Sequence, residues 1–243
     1  LIVVIAVMTG FDKDLHDKII GNYSHITVTG FNSISSSEYE EISGKIKDNI
    51  LVEAVSPNLQ GQVLIKEGDK FFAVGLRGID PVHEQKVTRI GKYLIAGNLA
   101  SLKTGEIVIG KELAAYLGLG VDSKITLYSP LGKQHIFKVC GIFGSGMYDY
   151  DLNLVFTDLN SAQQIFGMPG QISTVSVKLK NPQLSFRVKK ELSGVLGYNY
   201  NIKTWEEANQ NFFAALKLEK LVMFIILALI ILVASFNIAS TLI

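Results

Sequence analysis

A single cysteine, Cys140, stands in the chain, inside the apolar stretch Ile136-Phe-Lys-Val-Cys-Gly-Ile-Phe143. One cysteine forms no internal disulfide and no thiolate metal cluster, and this setting reads as a buried small side chain. Charge of one sign is also missing. Lys plus Arg number 23 and Asp plus Glu 22, a net charge of +1, which excludes a broad basic field for nucleic acid and an acidic tail. The histidines are His16, His25, His83 and His135. None lies three to five residues from another, and none has a cysteine at ligand spacing, so no metal site is expected. No Gly-x-Ser-x-Gly elbow occurs; Gly144-Ser145-Gly146 is one position short of it and reads as a turn. Gly105 to Glu112 follows the phosphate-loop pattern for seven positions, but Glu112 stands where a Ser or Thr would hold magnesium. The apolar segment Glu106-Ile-Val-Ile109 also fills the place of the flexible cradle. Nothing here supports an enzyme active site.

Two absences at the C-terminal end point the other way. From Trp205 to Ile243 there is neither Pro nor Gly, and from Leu221 onward there is no charge. At about 1.5 Å per residue the uncharged run covers roughly 30 Å, enough to cross a bilayer core. Thr204-Trp205-Glu206-Glu207 carries the capping-box pattern, which predicts one unbroken helix from Trp205 of roughly 58 Å. Lys217, Glu219 and Lys220 mark its boundary with the membrane, so residues 205–220 form a stalk and 221–243 a spanning helix. Leu1 to Met8 is also purely apolar and gives way to Thr9-Gly10-Phe11-Asp12. Residues 1–11 are read as the outer end of a first membrane helix. A secretory signal peptide is the competing reading, and its basic region and small-x-small cleavage site are not visible.

Between these ends lie about 200 residues of ordinary soluble composition, room for one large or two small cores. Asp12 to Ile20 reads as a helix and His25 to Phe31 as a strand, with Ser33 to Ser37 as a polar loop. Ser37 is expected to cap a helix over residues 38–49 with Tyr39, Ile42 and Ile46 as its apolar stripe. Val52 to Ser56 and Gly61 to Ile65 read as strands broken near Pro57. The second of these pairs with Phe71 to Ile79 through Glu67-Gly68-Asp69. Ile107–Ile109, Lys124–Tyr128, His135–Phe143 and Val155–Thr157 are further strands. Lys111–Leu117 is a helix closed by Gly118, and Asp158 caps another that Gly167 closes. Thr174–Leu179 alternates, Pro182 opens a helix to Leu196, and Tyr200–Lys203 is the last strand. The expected fold is α+β and two-lobed. One lobe is built from residues 12–60 and 158–204, and a strand-rich lobe, 61–157, is inserted into it.

On the spanning helix, Ala234, Asn237, Ser240 and Thr241 gather small and polar side chains. Packing against another helix and the lining of a pathway are the two readings. Met223 and Phe224, with Met8 and Phe11 on the first helix, are bulky apolar residues at the outer leaflet. Lipid contact and contact with acyl chains of a substrate are both open for them.

Val7-Met8-Thr9-Gly10-Phe11 resembles the start of the periplasmic part of LolC and LolE, the permease subunits of the lipoprotein-releasing ABC transporter. Phe212-Phe-Ala-Ala-Leu-Lys-Leu-Glu-Lys-Leu-Val-Met-Phe224, continuing through Ala234-Ser-Phe-Asn-Ile-Ala-Ser-Thr-Leu242, is similar to their second membrane helix. Gly78-Ile79-Asp80-Pro81 and Ile109-Gly110-Lys111-Glu112-Leu113-Ala114 match further stretches. The resemblance implies a multi-pass subunit of a bacterial inner membrane, with its large MacB-like domain in the periplasm. It implies a separate ATPase subunit of LolD type that holds ATP and magnesium, a second permease subunit, lipoprotein as substrate and a periplasmic carrier of LolA type. On this reading Met8, Phe11, Met223 and Phe224 contact the acyl chains. The chain departs from LolC at Ser129-Pro130-Leu131-Gly132-Lys133, which is too short for the hairpin with which LolC recruits the carrier. That leaves a LolE-like subunit, or one that engages its carrier otherwise. A MacB-type efflux permease and an FtsX-like regulator of cell-wall hydrolases would share the general plan.

Overall fold

The computed structural model describes residues 10, 21, 23–67 and 70–242. The first apolar run, the helix read over Asp12 to Ile20, the turn residues Gly68 and Asp69, and Met8 and Phe11 lie outside the described residues. The chain divides into two compact units, Lys18–Trp205 and a second that includes residues 206–242.

In the first unit the strands are β1 (Ile26–Ser35), β2 (Val52–Glu67), β3 (Lys70–Ile79), β4 (Leu94–Gly97), β5 (Glu106–Gly110), β6 (Lys124–Tyr128), β7 (Gln134–Phe143), β8 (Leu154–Asp158), β9 (Gln171–Leu179) and β10 (Tyr200–Thr204). Its helices are α1 (Ser36–Lys47), α2 (Pro81–Val87), α3 (Lys111–Leu117), α4 (Tyr148–Asn153), α5 (Leu159–Phe166) and α6 (Ser185–Leu196), before α7 (Trp205–Ala208) at the boundary. Strands β10, β1, β9 and β2 lie side by side, all antiparallel. Ile26, Val28, Val175 and Val177 pack from this sheet against Ile42 and Ile46 of α1 and Val188 and Leu192 of α6. The alternation read along Thr174–Leu179 and the i, i+4 spacing of Ile42 and Ile46 therefore meet in one core.

The remaining pairings close on themselves. β2 pairs with β3, β3 with β8, β8 with β5, β5 with β7, β7 with β6, and β6 again with β2. These six strands form a closed barrel, which leaves them no free edge among themselves. Its interior is filled by Val63, Ile65, Val74, Leu76, Ile107, Ile125, Leu127 and Val139, with Leu113 of α3 and Ile165 of α5 packed against them. Beside it a third cluster holds Phe143, Tyr150 and Phe156, with Phe143 and Phe156 edge to face at 5.4 Å.

One strand belongs to both layers. β2 pairs with β9 from Val52 to Asn58 and with β3 from Asn58 to Glu67. The expected break at Pro57 is absent, because Pro57 sits where the strand changes partners and stays in register with Val175. At the crossing Asn58 is fully buried, and its Nδ2 donates to Ser176 Oγ at 3.0 Å and to Ser56 O at 3.3 Å. Ser173 Oγ accepts from Gln60 N at 2.9 Å and donates to Asn58 O at 3.3 Å.

Other expectations shift by a few residues for local reasons. The serine run 33–35 continues β1 past a bulge, since buried Ile34 pairs with Ile172. The cap of α1 is Ser35, not Ser37: its hydroxyl accepts from Glu38 N while Glu38 reaches back to Ser35 N, a full capping box. Pro182 opens a short 3-10 turn, Pro182–Leu184, before α6 begins at Ser185. Gly118 and Gly167 close α3 and α5 in the left-handed conformation, and Asp158 caps α5. Segments that the sequence did not disclose are α2, β4 and α4.

The unbroken helix from Trp205 is not found. α7 ends at Ala208, Asn209 N donates to Glu206 O, and a second helix begins when Phe213 N bonds to Asn209 O. Asn is a poor interior helix residue because its side chain competes for nearby backbone groups, so the chain turns there without Pro or Gly.

Replacing Asn58 by Ala removes the donor to Ser176 and leaves a void at the crossing. We expect a loss of about 1–3 kcal/mol, read in thermal unfolding as a fall of roughly 2–4 °C per kcal/mol for a domain of this size.

Candidate membrane-embedded site

The second unit is carried by α8 (Gln210–Leu242), the one described helix long and apolar enough to cross a membrane. Its 33 residues extend about 50 Å, and a bilayer core takes about 30 Å, which leaves roughly 20 Å for the charged part up to Lys220. Apolar side chains surround it: Phe224 is 70%, Phe236 65% and Ile238 62% exposed. Its uncharged part is thus mostly exposed among the described residues, and by length and composition it can cross a membrane.

At about 100° per residue, neighbouring side chains on α8 point to different sides. Phe224 heads an apolar groove lined also by Leu227, Ala228, Ile231, Leu232, Ser235, Phe236 and Ala239. Met223 falls away from that groove, on the side that carries Ala234, Asn237 and Thr241. Ser240 falls at its margin. The four residues read as one small and polar face are therefore three on one side and one beside it. Met223 and Phe224 serve different sides. The groove residues beyond Phe224 were not singled out in the sequence, although Ala228, Ser235 and Ala239 recur at helical spacing and would have marked the face.

Two of the three hydroxyls on α8 are satisfied within it. Ser235 Oγ donates to Ile231 O at 2.8 Å, and Thr241 Oγ1 donates to Asn237 O at 2.7 Å. The Asn237 amide has no hydrogen-bond partner among the described residues. An unpaired amide in hydrocarbon costs free energy, so the Asn237 side is the one that gains from meeting another helix.

Two further features of the first unit bear on function. The hairpin turn between β6 and β7 is closed on itself. Ser129 N donates to Lys133 O at 2.9 Å, Gly132 N donates to Ser129 O at 2.9 Å, and Ser129 Oγ accepts from Leu131 N and Lys133 N. Five residues folded back in this way form a tight tip and no projecting arm. The segments Gly78–Pro81 and Ile109–Ala114 turn out to serve packing. A Cβ on Gly78 would lie 2.2 Å from Ala162 Cβ, which shows how closely α5 lies on β3. Asp80 caps α2 by accepting from Val82 N at 2.9 Å, with Pro81 as its first residue. A Cβ on Gly110 would lie 1.9 Å from Asp151 O, so the turn from β5 into α3 admits only glycine against α4. Cys140 is half-buried, and burial first of all raises its thiol to about 11.

The sequence matches the MacB-like periplasmic core domain over residues 1–195. The chain belongs to this family. As a MacB-like domain it also has full-length relatives. It is 32% identical to the lipoprotein-releasing system transmembrane protein LolC of Xylella fastidiosa (strain 9a5c), over 99% of this chain and 60% of that protein. It is 24% identical to the lipoprotein-releasing system transmembrane protein LolE of Haemophilus influenzae, over 100% of this chain and 62% of that protein. The chain thus spans about 60% of the length of the curated relatives it matches. The crystal structure of the periplasmic region of MacB from Actinobacillus actinomycetemcomitans superposes with a TM-score of 0.52 at 14% identity, covering 81% of this chain and 95% of that one. At that identity the likeness concerns the fold, which is α+β and MacB-like.

Replacing Asn237 by Leu should weaken assembly of α8 with neighbouring helices by about 1 kcal/mol. The readout is recovery of the assembled membrane protein in mild detergent. Ser235→Ala, which removes a hydroxyl already satisfied in its own helix, should leave recovery unchanged.

Proposed function

We propose that the chain is the periplasmic domain and adjoining membrane helix of a permease subunit of an ABC transporter that releases lipoproteins from the bacterial inner membrane. The observation that carries this reading is similarity to LolC proteins over essentially the whole chain, α8 included. The domain stands in the periplasm, and further helices complete a multi-pass subunit. The chain's own part is to bind and to move. ATP and magnesium belong to a separate ATPase subunit of LolD type, and a second permease subunit, alike or different, completes the pore.

Extraction of an acyl chain costs about 0.8 kcal/mol per buried CH₂, so a triacylated lipoprotein needs an apolar shelter and outside energy. The apolar face headed by Phe224 is proposed to supply one wall of such a shelter. Met223 stands at the same height on the neighbouring side, and Met adapts to variable chains. Met8 and Phe11 are proposed to complete the contact from the first helix. Ala234, Asn237 and Thr241, with Ser240 beside them, are proposed to pack against another membrane helix. Delivery is to a periplasmic carrier of LolA type. The closed turn at Ser129–Lys133 supports a carrier contact made elsewhere than at this tip.

Depletion of the intact protein in its own bacterium, followed by separation of the two membranes, should leave lipoproteins in the inner membrane. Normal sorting under full depletion would contradict the reading and direct attention to efflux or division. A photo-crosslinker at Phe224 should capture lipoprotein in the nucleotide-free complex, and capture of phospholipid alone would remove Phe224 from the acyl site.

A further inference from the structure

A cavity of about 300 Å³ lies in the first unit, and its lining is polar and cationic. Among the described residues, Arg89, Lys92, Lys178 and Lys180 line it with one carboxylate, Glu53. Glu53 pairs with Lys178 at 3.1 Å. Arg89, Lys92 and Lys180 have no ion-pair partner among the described residues, which leaves three positive charges on one small concavity. Like charges gathered without a counter-charge are costly, and a bound anion relieves that cost. His25 lines the same wall. Its Nδ1 accepts from Leu179 N at 3.0 Å, and burial, then Lys178, hold its pKa down to about 4. At neutral pH it is therefore an uncharged ring with its proton on Nε2.

The cations come from separate elements that the fold brings to one end of the sheet. Lys178 is near the end of β9, Lys180 just beyond it, and Glu53 at the start of β2. Arg89 and Lys92 follow α2, held there by a bond from Arg89 N to Gly21 O at 3.0 Å. This is also the end at which the chain leaves the domain. Trp205 N donates to His25 O at 3.0 Å, and Trp205 Nε1 donates to Pro182 O, another lining residue.

We propose that this cavity binds a phosphate-class anion, either the headgroup of an anionic phospholipid or a soluble phosphate ester. Arg89 supplies a planar fork suited to two phosphate oxygens, and Lys92 and Lys180 supply point charges. The volume is at the lower end of the range for small-molecule sites and accommodates a compact headgroup.

The test uses the full-length protein in neutral detergent. Native mass spectrometry compares phosphatidylglycerol with phosphatidylcholine, and calorimetry measures glycerol 3-phosphate. Preferential retention of phosphatidylglycerol supports the lipid source, and binding of glycerol 3-phosphate alone supports the soluble source. In either case Arg89→Ala and Lys180→Ala should each weaken binding about fivefold, while Lys45→Ala on α1 changes nothing. All three positions are exposed, so the substitutions spare the core. Absence of binding to both probes, or equal binding by the Arg89→Ala/Lys180→Ala double variant, overturns the proposal.

Discussion

The domain depends on one strand that serves two layers. β2 carries the four-stranded sheet on its first half and closes the barrel with its second, and the change happens at Pro57 and Asn58. A proline cannot donate to a ladder and a buried asparagine must be bonded, so this pair would be unwelcome in the middle of an ordinary central strand. Here Pro57 marks the change of partner, and Asn58 ties β2 to β9 through Ser176. Because the strand is continuous in the backbone, the sheet with its two helices and the barrel are joined by covalent structure as well as by contact. Independent motion of the two would have to bend or unpair β2.

The other constraint lies on α8. From Leu221 onward α8 carries no charge and presents apolar side chains around its circumference, a surface with no place in water. Within that helix the hydroxyls of Ser235 and Thr241 bond back to their own backbone, while the Asn237 amide does not. The polar side chains are thus of two kinds. One kind is self-sufficient in lipid, and the other gains from a partner. The self-bonded hydroxyls fall on both sides, Ser235 with Phe224 and Thr241 with Asn237, so it is the Asn237 amide alone that marks its side for the helix contact proposed there.

Elements with chemical punctuation at their ends were legible in the sequence. Gly118, Asp158 and Gly167 fixed the ends of α3 and α5 because capping and left-handed glycine act locally. The cap of α1 was only half legible, since Glu38 stands three residues beyond Ser35. Ser37 offers the same pattern with Glu40, and only the continuation of β1 through buried Ile34 decides for Ser35. Closure of the barrel was not legible, because the parallel pairs β3 with β8 and β5 with β7 join residues distant in sequence. The turn at Asn209 went unseen for a related reason, since absence of Pro and Gly permits a helix without requiring one. Two motifs that carried the resemblance, Gly78–Pro81 and Ile109–Ala114, mark sites of close packing and capping, so they report fold before function. The candidate membrane site was half legible: Phe224 and Asn237 were singled out, but the groove behind Phe224 requires the helix wheel. The four cations of the basic cavity come from two segments, Arg89 with Lys92 and Lys178 with Lys180, far apart in the chain, and leave no sequence pattern.

The family gives the fold, and the near full-length likeness to LolC supports the transport reading. The central claim is that the intact protein, assembled with its ATPase, lifts lipoproteins out of a bilayer. Reconstitution of that complex into proteoliposomes with a labelled lipoprotein and a soluble carrier tests it most directly. The account predicts ATP-dependent transfer of lipoprotein from vesicles to carrier, abolished without ATP. Lipoprotein that stays in the vesicles while ATP is hydrolysed at its full rate would contradict it.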